Sequence, residues 1–253
     1  MEYFVEEKSI VRKIWGKSDN ILFIFGGAAA EFALNKAVDW LYFTGRLPAD
    51  PIGRLFSTVA YARQIVFSEK DRAFAAIDKM RSIHSAVEEN RGAQIPDWAY
   101  RDVLFMLIHY SISSFELLER KLTRSEKEEV FFVFNDVGKR MGLKELPQNY
   151  DAWLIAREQH LQNDLQKTKY TDDLFLQYKK HLGVTRYFLL EQAQMLVVPK
   201  RVSDLLSFGK ISAISFILPV YKLSNKIKLG WFFKSIILPN KYKSQIRDLD
   251  VVV

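Results

Sequence analysis

From Val103 to Phe115 the chain runs Val-Leu-Phe-Met-Leu-Ile-His-Tyr-Ser-Ile-Ser-Ser-Phe without a formal charge, counting His109 as neutral. Wound as a helix, this run is apolar on nearly every side, so other helices must enclose it. It falls short of the roughly 18–20 apolar residues that a bilayer span needs, and the enclosure must therefore come from the protein itself. With 253 residues, 49% of them apolar, there is material to build it. The fold implied is all-α: a single globular multi-helix domain over residues 1–253 with a central buried helix.

The surrounding helices are marked by caps and periodicity. Ser68 followed by Asp71 predicts a helix to about Glu89, and Ser125 followed by Glu128 predicts one ending at Gly142, both as capping-box patterns. Pro96-Asp97 opens the central helix, expected to run to about Lys121, and Asp50-Pro51 opens one to about Phe67. Further helices are expected at about 4–16, 21–43, 150–167, 172–197 and 200–218. Gly26-Gly27, ahead of a run of small residues, suits close helix packing better than phosphate binding.

Composition closes off several chemistries. There is no cysteine, which excludes disulfides, thiol nucleophiles and thiolate-bound metals and leaves histidine and carboxylates as metal ligands. P-loop, dinucleotide-fold, zincin and serine-hydrolase motifs are absent, and no histidine has a glutamate three residues before it, as a di-iron bundle requires. Residues 1–17 lack the pattern of a secretory signal, so the expected location is cytoplasmic.

The interior is left with a short list of polar candidates. On the helix from Ser68, His84 shares the inward stripe of Ala73, Ala76, Ile77, Met80 and Val87. His109 and Ser111 sit on the central helix. Arg54 and Thr58 project side by side, one turn apart, from the helix that begins at Pro51. A single axial histidine with no second ligand cluster suits haem, which brings four nitrogens of its own and asks of the protein one imidazole, an apolar slot and cations for its propionates. The plainer alternatives are a hydrogen-bonded core histidine at 84, a buried carboxylate opposite Arg54, and a Thr58 hydroxyl bonded back to the Arg54 carbonyl. His160 and His181, set among charged residues, read as solvated.

Taken in order, Gly26-Gly27, Asp50-Pro-Ile-Gly-Arg-Leu-Phe-Ser-Thr58, Arg81-Ser-Ile-His-Ser-Ala-Val87 and Ile108-His-Tyr-Ser111 resemble the successive motifs of the MpaB-type oxygenases, a family that includes the rubber-cleaving latex-clearing proteins. The resemblance covers about residues 20–200. Glu191 to Pro199 is similar to the family's apolar stretch ending in proline, and Leu238-Pro followed by Arg247 to a later element. It implies an all-helical protein that holds haem b and uses dioxygen on an apolar, isoprenoid or lipid-like substrate. His84 then matches the proximal iron ligand, Arg54 and Thr58 match residues at the haem pocket with catalytic roles, and His109 and Ser111 are further cofactor-binding candidates. The latex-clearing branch has a lysine before the threonine and an arginine after the H-x-x-V unit, where this chain has Ser57 and Glu88, so rubber cleavage is not implied. The family's histidine-proline is replaced by Leu34-Asn-Lys36.

Residues 1–198 carry 27 basic and 27 acidic side chains, so the whole net charge of +7 lies in residues 199–253. There, apolar stretches such as Ile214 to Leu218 and Trp231 to Phe233 alternate with lysines, which makes a basic amphipathic C-terminal tail and suits peripheral membrane contact through 199–247 as well as ordinary packing. The lysines are interleaved with aliphatic residues rather than with stacking aromatics, which argues against nucleic acid. Two rivals to the oxygenase stay open: a non-catalytic helical module binding an apolar ligand or membrane, and a haem carrier or sensor.

Overall fold

The run that opened the sequence lies in the long helix Asp97–Leu118, whose Leu104, Phe105, Met106, Ile108, Tyr110, Ile112 and Phe115 are all buried. A computed structural model describes residues 2–45, 49–219, 221–222 and 248–250; among them are ten α-helices and no strand, only two isolated β-bridges. In chain order the helices are α1 Ile10–Trp15, α2 Ser18–Phe32, α3 Asp39–Phe43, α4 Pro51–Phe67, α5 Lys70–Arg91, α6 Asp97–Leu118, α7 Arg124–Met141, α8 Tyr150–Asn163, α9 Lys169–Val197 and α10 Lys200–Leu205, followed by a 3-10 turn Ala213–Phe216. Helices α1, α2, α7, α8 and α9 pack around α6, with α2 lying closest along it, while α4 and α5 pair with each other at one side. The fold is all-α, as its apolar periodicity implies. No helix of the described residues is long and apolar enough to cross a membrane.

Local chemistry explains where the helices begin and end. Asp50 caps α4 by accepting the Gly53 N–H at 2.9 Å, Pro51 fills the first turn, and a Cβ at residue 53 would collide with the Asp50 carboxylate. Gly92 and Gly142 close α5 and α7 in the left-handed conformation, with φ of 67° and 81°. Helix α9 is kinked at Gly183, where φ is 74° and ψ is 168°.

Several expected boundaries move. The capping box of α7 is Thr123 with Glu126, two residues before the expected pair. Ser68 does not cap α5. It is extended at the end of α4, and the next turn is pinned by the N-terminal segment, the Lys70 N–H donating to the Glu2 carbonyl at 2.9 Å. The helix expected over 21–43 breaks after Phe32, because the Asn35 side chain accepts the Ala37 N–H at 2.8 Å and holds a turn between α2 and α3. The segment expected over 4–16 is helical only from Ile10, after Ser9, and the one over 200–218 stops at Leu205, before the positive φ of Ser207. The tail from 223 to 247, with Trp231 to Phe233, Leu238-Pro and Arg247, lies outside the described residues.

The glycine pair of α2 does pack closely. A Cβ at Gly27 would overlap the Tyr110 ring of α6, whereas one at Gly26 would meet Leu190 at an ordinary 3.7 Å. Thermal unfolding should therefore separate two neighbouring substitutions. Gly27→Ala should lose about 1–3 kcal/mol by overpacking, while Gly26→Ala should be neutral or gain up to about 1 kcal/mol of helix propensity. Equal effects would refute the close approach of α2 to α6.

Candidate functional site

Helix α5 carries His84 and α4 carries Arg54 and Thr58, and because the two helices pack side by side, the three residues share one neighbourhood. His84 is half-buried, its ring set edge-on to Tyr100 at 5.2 Å. Its Nδ1 lies 2.8 Å from the Met80 carbonyl. A carbonyl can only accept, so in the neutral ring Nδ1 carries the hydrogen and Nε2 keeps its lone pair. Burial holds the His84 pKa below the usual histidine value and nearby Arg54 adds to this, against the opposing pull of Met80 and Glu88. The imidazole is therefore neutral at neutral pH and suited to ligation.

Within α4, Arg54 Nη1 donates to Thr58 Oγ1 at 2.9 Å and to Ser57 Oγ at 3.2 Å, and the Thr58 hydroxyl donates to the Arg54 carbonyl at 3.2 Å. The back-bonded threonine expected as the plainer reading is thus present, and it also holds the guanidinium. Glu88, where the latex-clearing branch has arginine, accepts the Ile95 N–H at 2.9 Å and the Tyr100 hydroxyl at 3.1 Å, which ties the end of α5 to the start of α6.

The other two candidates face elsewhere. His109 hydrogen-bonds the Val197 carbonyl of α9; burial pushes its pKa down to about 3, and the Arg157 charge assists. Ser111 accepts the indole N–H of Trp15 at 3.1 Å on a fully buried face toward α1.

As a donor set, His84 and Arg54 fit haem: a neutral imidazole whose second nitrogen is fixed by a carbonyl, and a cation within electrostatic reach. The space is tighter. The cavity against His84, lined also by Arg81, Glu88 and Tyr100, holds about 220 Å³, less than the roughly 300–1,000 Å³ of most small-molecule sites. A porphyrin would enter only if the parts of α5, α6 and α7 that line this cavity move apart.

A second polar centre lies on the far side of α6, and sequence reasoning missed it. Glu31 of α2 is fully buried and accepts from the Tyr110 hydroxyl at 2.7 Å, from both terminal nitrogens of Arg157, and from His160 Nε2 at 2.8 Å. On its other side, His160 Nδ1 lies 2.7 Å from Asp102 and 3.6 Å from Asp164. Asn35 donates to the second oxygen of Asp102 at 2.8 Å. His160 is not solvated, as its sequence neighbours suggest; its side chain is 2% exposed, because α8 turns the Arg157 and His160 face toward α2. The available signal was a lone Glu31 ending a long uncharged stretch, with Arg157 and His160 three apart on one helix face.

Burial alone would raise the Glu31 pKa, but Arg157 and His160 outweigh it and hold the carboxylate far below its usual range. Burial disfavours the imidazolium of His160, yet Asp102, Asp164 and Glu31 together push its pKa up to about 10. The sign of each linkage follows. Glu31 contributes stability that is present above its unfolded value of 4.5 and lost as pH falls. His160 contributes stability that is complete below 6.5 and lost as pH rises toward about 10. In buffer containing a chelator, the unfolding free energy should fall between these last two values by on the order of 1 kcal/mol per pH unit, and His160→Gln should flatten that slope. A wild-type profile flat over this range would rule out the imidazolium. Arg157→Met strands Glu31 and should cost about 3–5 kcal/mol.

Residues 15–213 match the family model described as ER-bound oxygenase mpaB/B'/Rubber oxygenase, catalytic domain. No curated protein matches the chain.

Proposed function

The chain belongs to the mpaB/rubber oxygenase family, and on that premise we propose that it is a haem b-dependent oxygenase that uses dioxygen on an apolar, isoprenoid or lipid-like substrate. The observation that carries this reading is the His84 ring: its Nδ1–H is fixed on the Met80 carbonyl, its Nε2 is left to ligate, and the Arg54 cation stands on the adjoining helix. Haem b, when bound, supplies the redox-active iron on which dioxygen chemistry depends.

The residues of the chain have distinct tasks in this reading. His84 Nε2 would hold the haem iron, and the Met80 carbonyl sets the tautomer of the ring and raises its basicity. Arg54 supplies a fixed positive charge for a propionate or for negative charge that develops in the pocket. Thr58 acts chiefly as a positioning residue, its oxygen accepting from Arg54 while its hydrogen is committed to the helix backbone. Glu88, already bonded to Ile95 and Tyr100, contributes a carboxylate where the rubber-cleaving branch has a cation, which disfavours a second propionate contact there. An apolar substrate gives purpose to surface contact through 199–247, and the exposed Ile211, Phe216 and Ile217 support it. The narrow cavity beside His84 favours one rival, a helical module without catalysis.

Absorption spectra decide between them. Protein from cells supplied with iron and a haem precursor should show a Soret band that His84→Ala abolishes without loss of helical circular dichroism. His109→Ala should leave the band in place. Arg54→Ala should keep the band and slow oxygen consumption with isoprenoid or lipid substrates by about 10²–10³-fold. Well-folded wild-type protein that takes up no haem would favour the non-catalytic module, and haem without oxygen consumption the carrier or sensor.

A further inference from the structure

Three side chains with ligand atoms meet at the end of α8, away from His84. Asp102 comes from the first turns of α6, His160 from the last turn of α8, and Asp164 caps that helix one turn later. One donor atom from each lies within 4.8 Å of the others. His160 Nδ1 is the focus. It is buried and lies 2.7 Å from one Asp102 oxygen, off the line of a well-formed hydrogen bond, and 3.6 Å from an Asp164 oxygen, beyond the length of one. A ring nitrogen enclosed among carboxylates without a directed partner is costly in a site that is otherwise satisfied.

We infer that Asp102, His160 and Asp164 form a binding site for a first-row divalent transition cation such as Zn²⁺, Co²⁺ or Mn²⁺.

Each of the two buried ligands is held from behind. Glu31 accepts the Nε2–H of His160 at 2.8 Å, which leaves Nδ1 as the ligating nitrogen, and Asn35 donates to the Asp102 oxygen that does not face the site, also at 2.8 Å. That is the carboxylate–histidine–metal arrangement by which proteins orient ligands and raise their basicity. Ligand atoms on a tetrahedral ion at about 2.0–2.2 Å stand roughly 3.4 Å apart. The observed 2.7 and 3.6 Å bracket that value, and the Asp102 and Asp164 oxygens stand within 4.8 Å of each other, so the three atoms already surround one point. Asp164, 27% exposed, is the side from which an ion and its waters enter.

Charge points the same way. Glu31, Asp102 and Asp164 face Arg157, and a proton on His160 still leaves one negative charge unbalanced. A divalent cation at Nδ1 in place of that proton leaves none. The mixed nitrogen and oxygen donors, few in number, suit a transition cation better than calcium or magnesium, which prefer more numerous, all-oxygen shells.

The test uses the full chain, stripped with a chelator and titrated with Co²⁺ and Zn²⁺ under calorimetry, with the Co²⁺ visible spectrum as a second readout. One ion per chain is expected, with a d–d spectrum of nitrogen and oxygen ligation. Asp164→Asn, at the rim and least disturbing to the fold, should weaken binding at least tenfold. His160→Gln should abolish the spectrum, and Asn35→Ala should weaken binding less than Asp164→Asn. His181→Ala, at an exposed histidine, should change nothing. Folded wild-type chain that binds no ion at millimolar concentration would overturn the inference, as would binding that Asp164→Asn and His160→Gln leave unchanged.

Discussion

The helices around α6 are tied by the Glu31 carboxylate. It receives Tyr110 from α6 and Arg157 and His160 from α8, so one side chain of α2 fixes the rotation of three helices about each other. Apolar packing alone tolerates sliding, since one aliphatic contact is much like the next. A buried carboxylate does not, because losing any donor leaves a desolvated charge that costs several kcal/mol. The Gly27 approach to Tyr110 belongs to the same arrangement: the ring crosses where a side chain on α2 would stand, and its hydroxyl reaches Glu31 one turn further along.

The α4–α5 pair depends on weaker devices. Its connection is held by the N-terminal segment at Lys70, its far end by Glu88, and Arg54 and Thr58 by bonds within their own helix. The half of α5 that bears His84 is largely exposed, with Ile83 43% accessible. The cavity beside His84 opens on this exposed half of α5, between it, the start of α6 and the end of α7.

What the sequence revealed and what it hid divide along contact distance. The central helix, the Pro51–Phe67 helix and the Gly142 stop were legible because periodicity and caps are local. The Asp50-Pro-Ile-Gly53 part of the family resemblance turns out to be a capping device, readable from four adjacent residues. The polar centre was not legible, because Glu31 lies 126 residues from Arg157 and 129 from His160. Charged neighbours made His160 look solvated, and only the packing of α8 against α2 shows otherwise. Ser111 shares the central helix with His109, but the helix turn sends one toward Trp15 and the other toward α9.

The cap of α4 bears on more than where that helix starts. Winding at 3.6 residues per turn places successive side chains about 100° apart around the axis. With Gly53 giving up its side chain to make room for the Asp50 carboxylate, the cap fixes the start of α4 immediately before Arg54. Arg54 and Thr58, one and five positions beyond Gly53, leave the axis about 100° and 140° on from it, so both project to nearly the same side. The small motif thus anchors the stretch of backbone from which the charge projects, the Arg54 N–H donating to the Asp50 carbonyl at 3.0 Å.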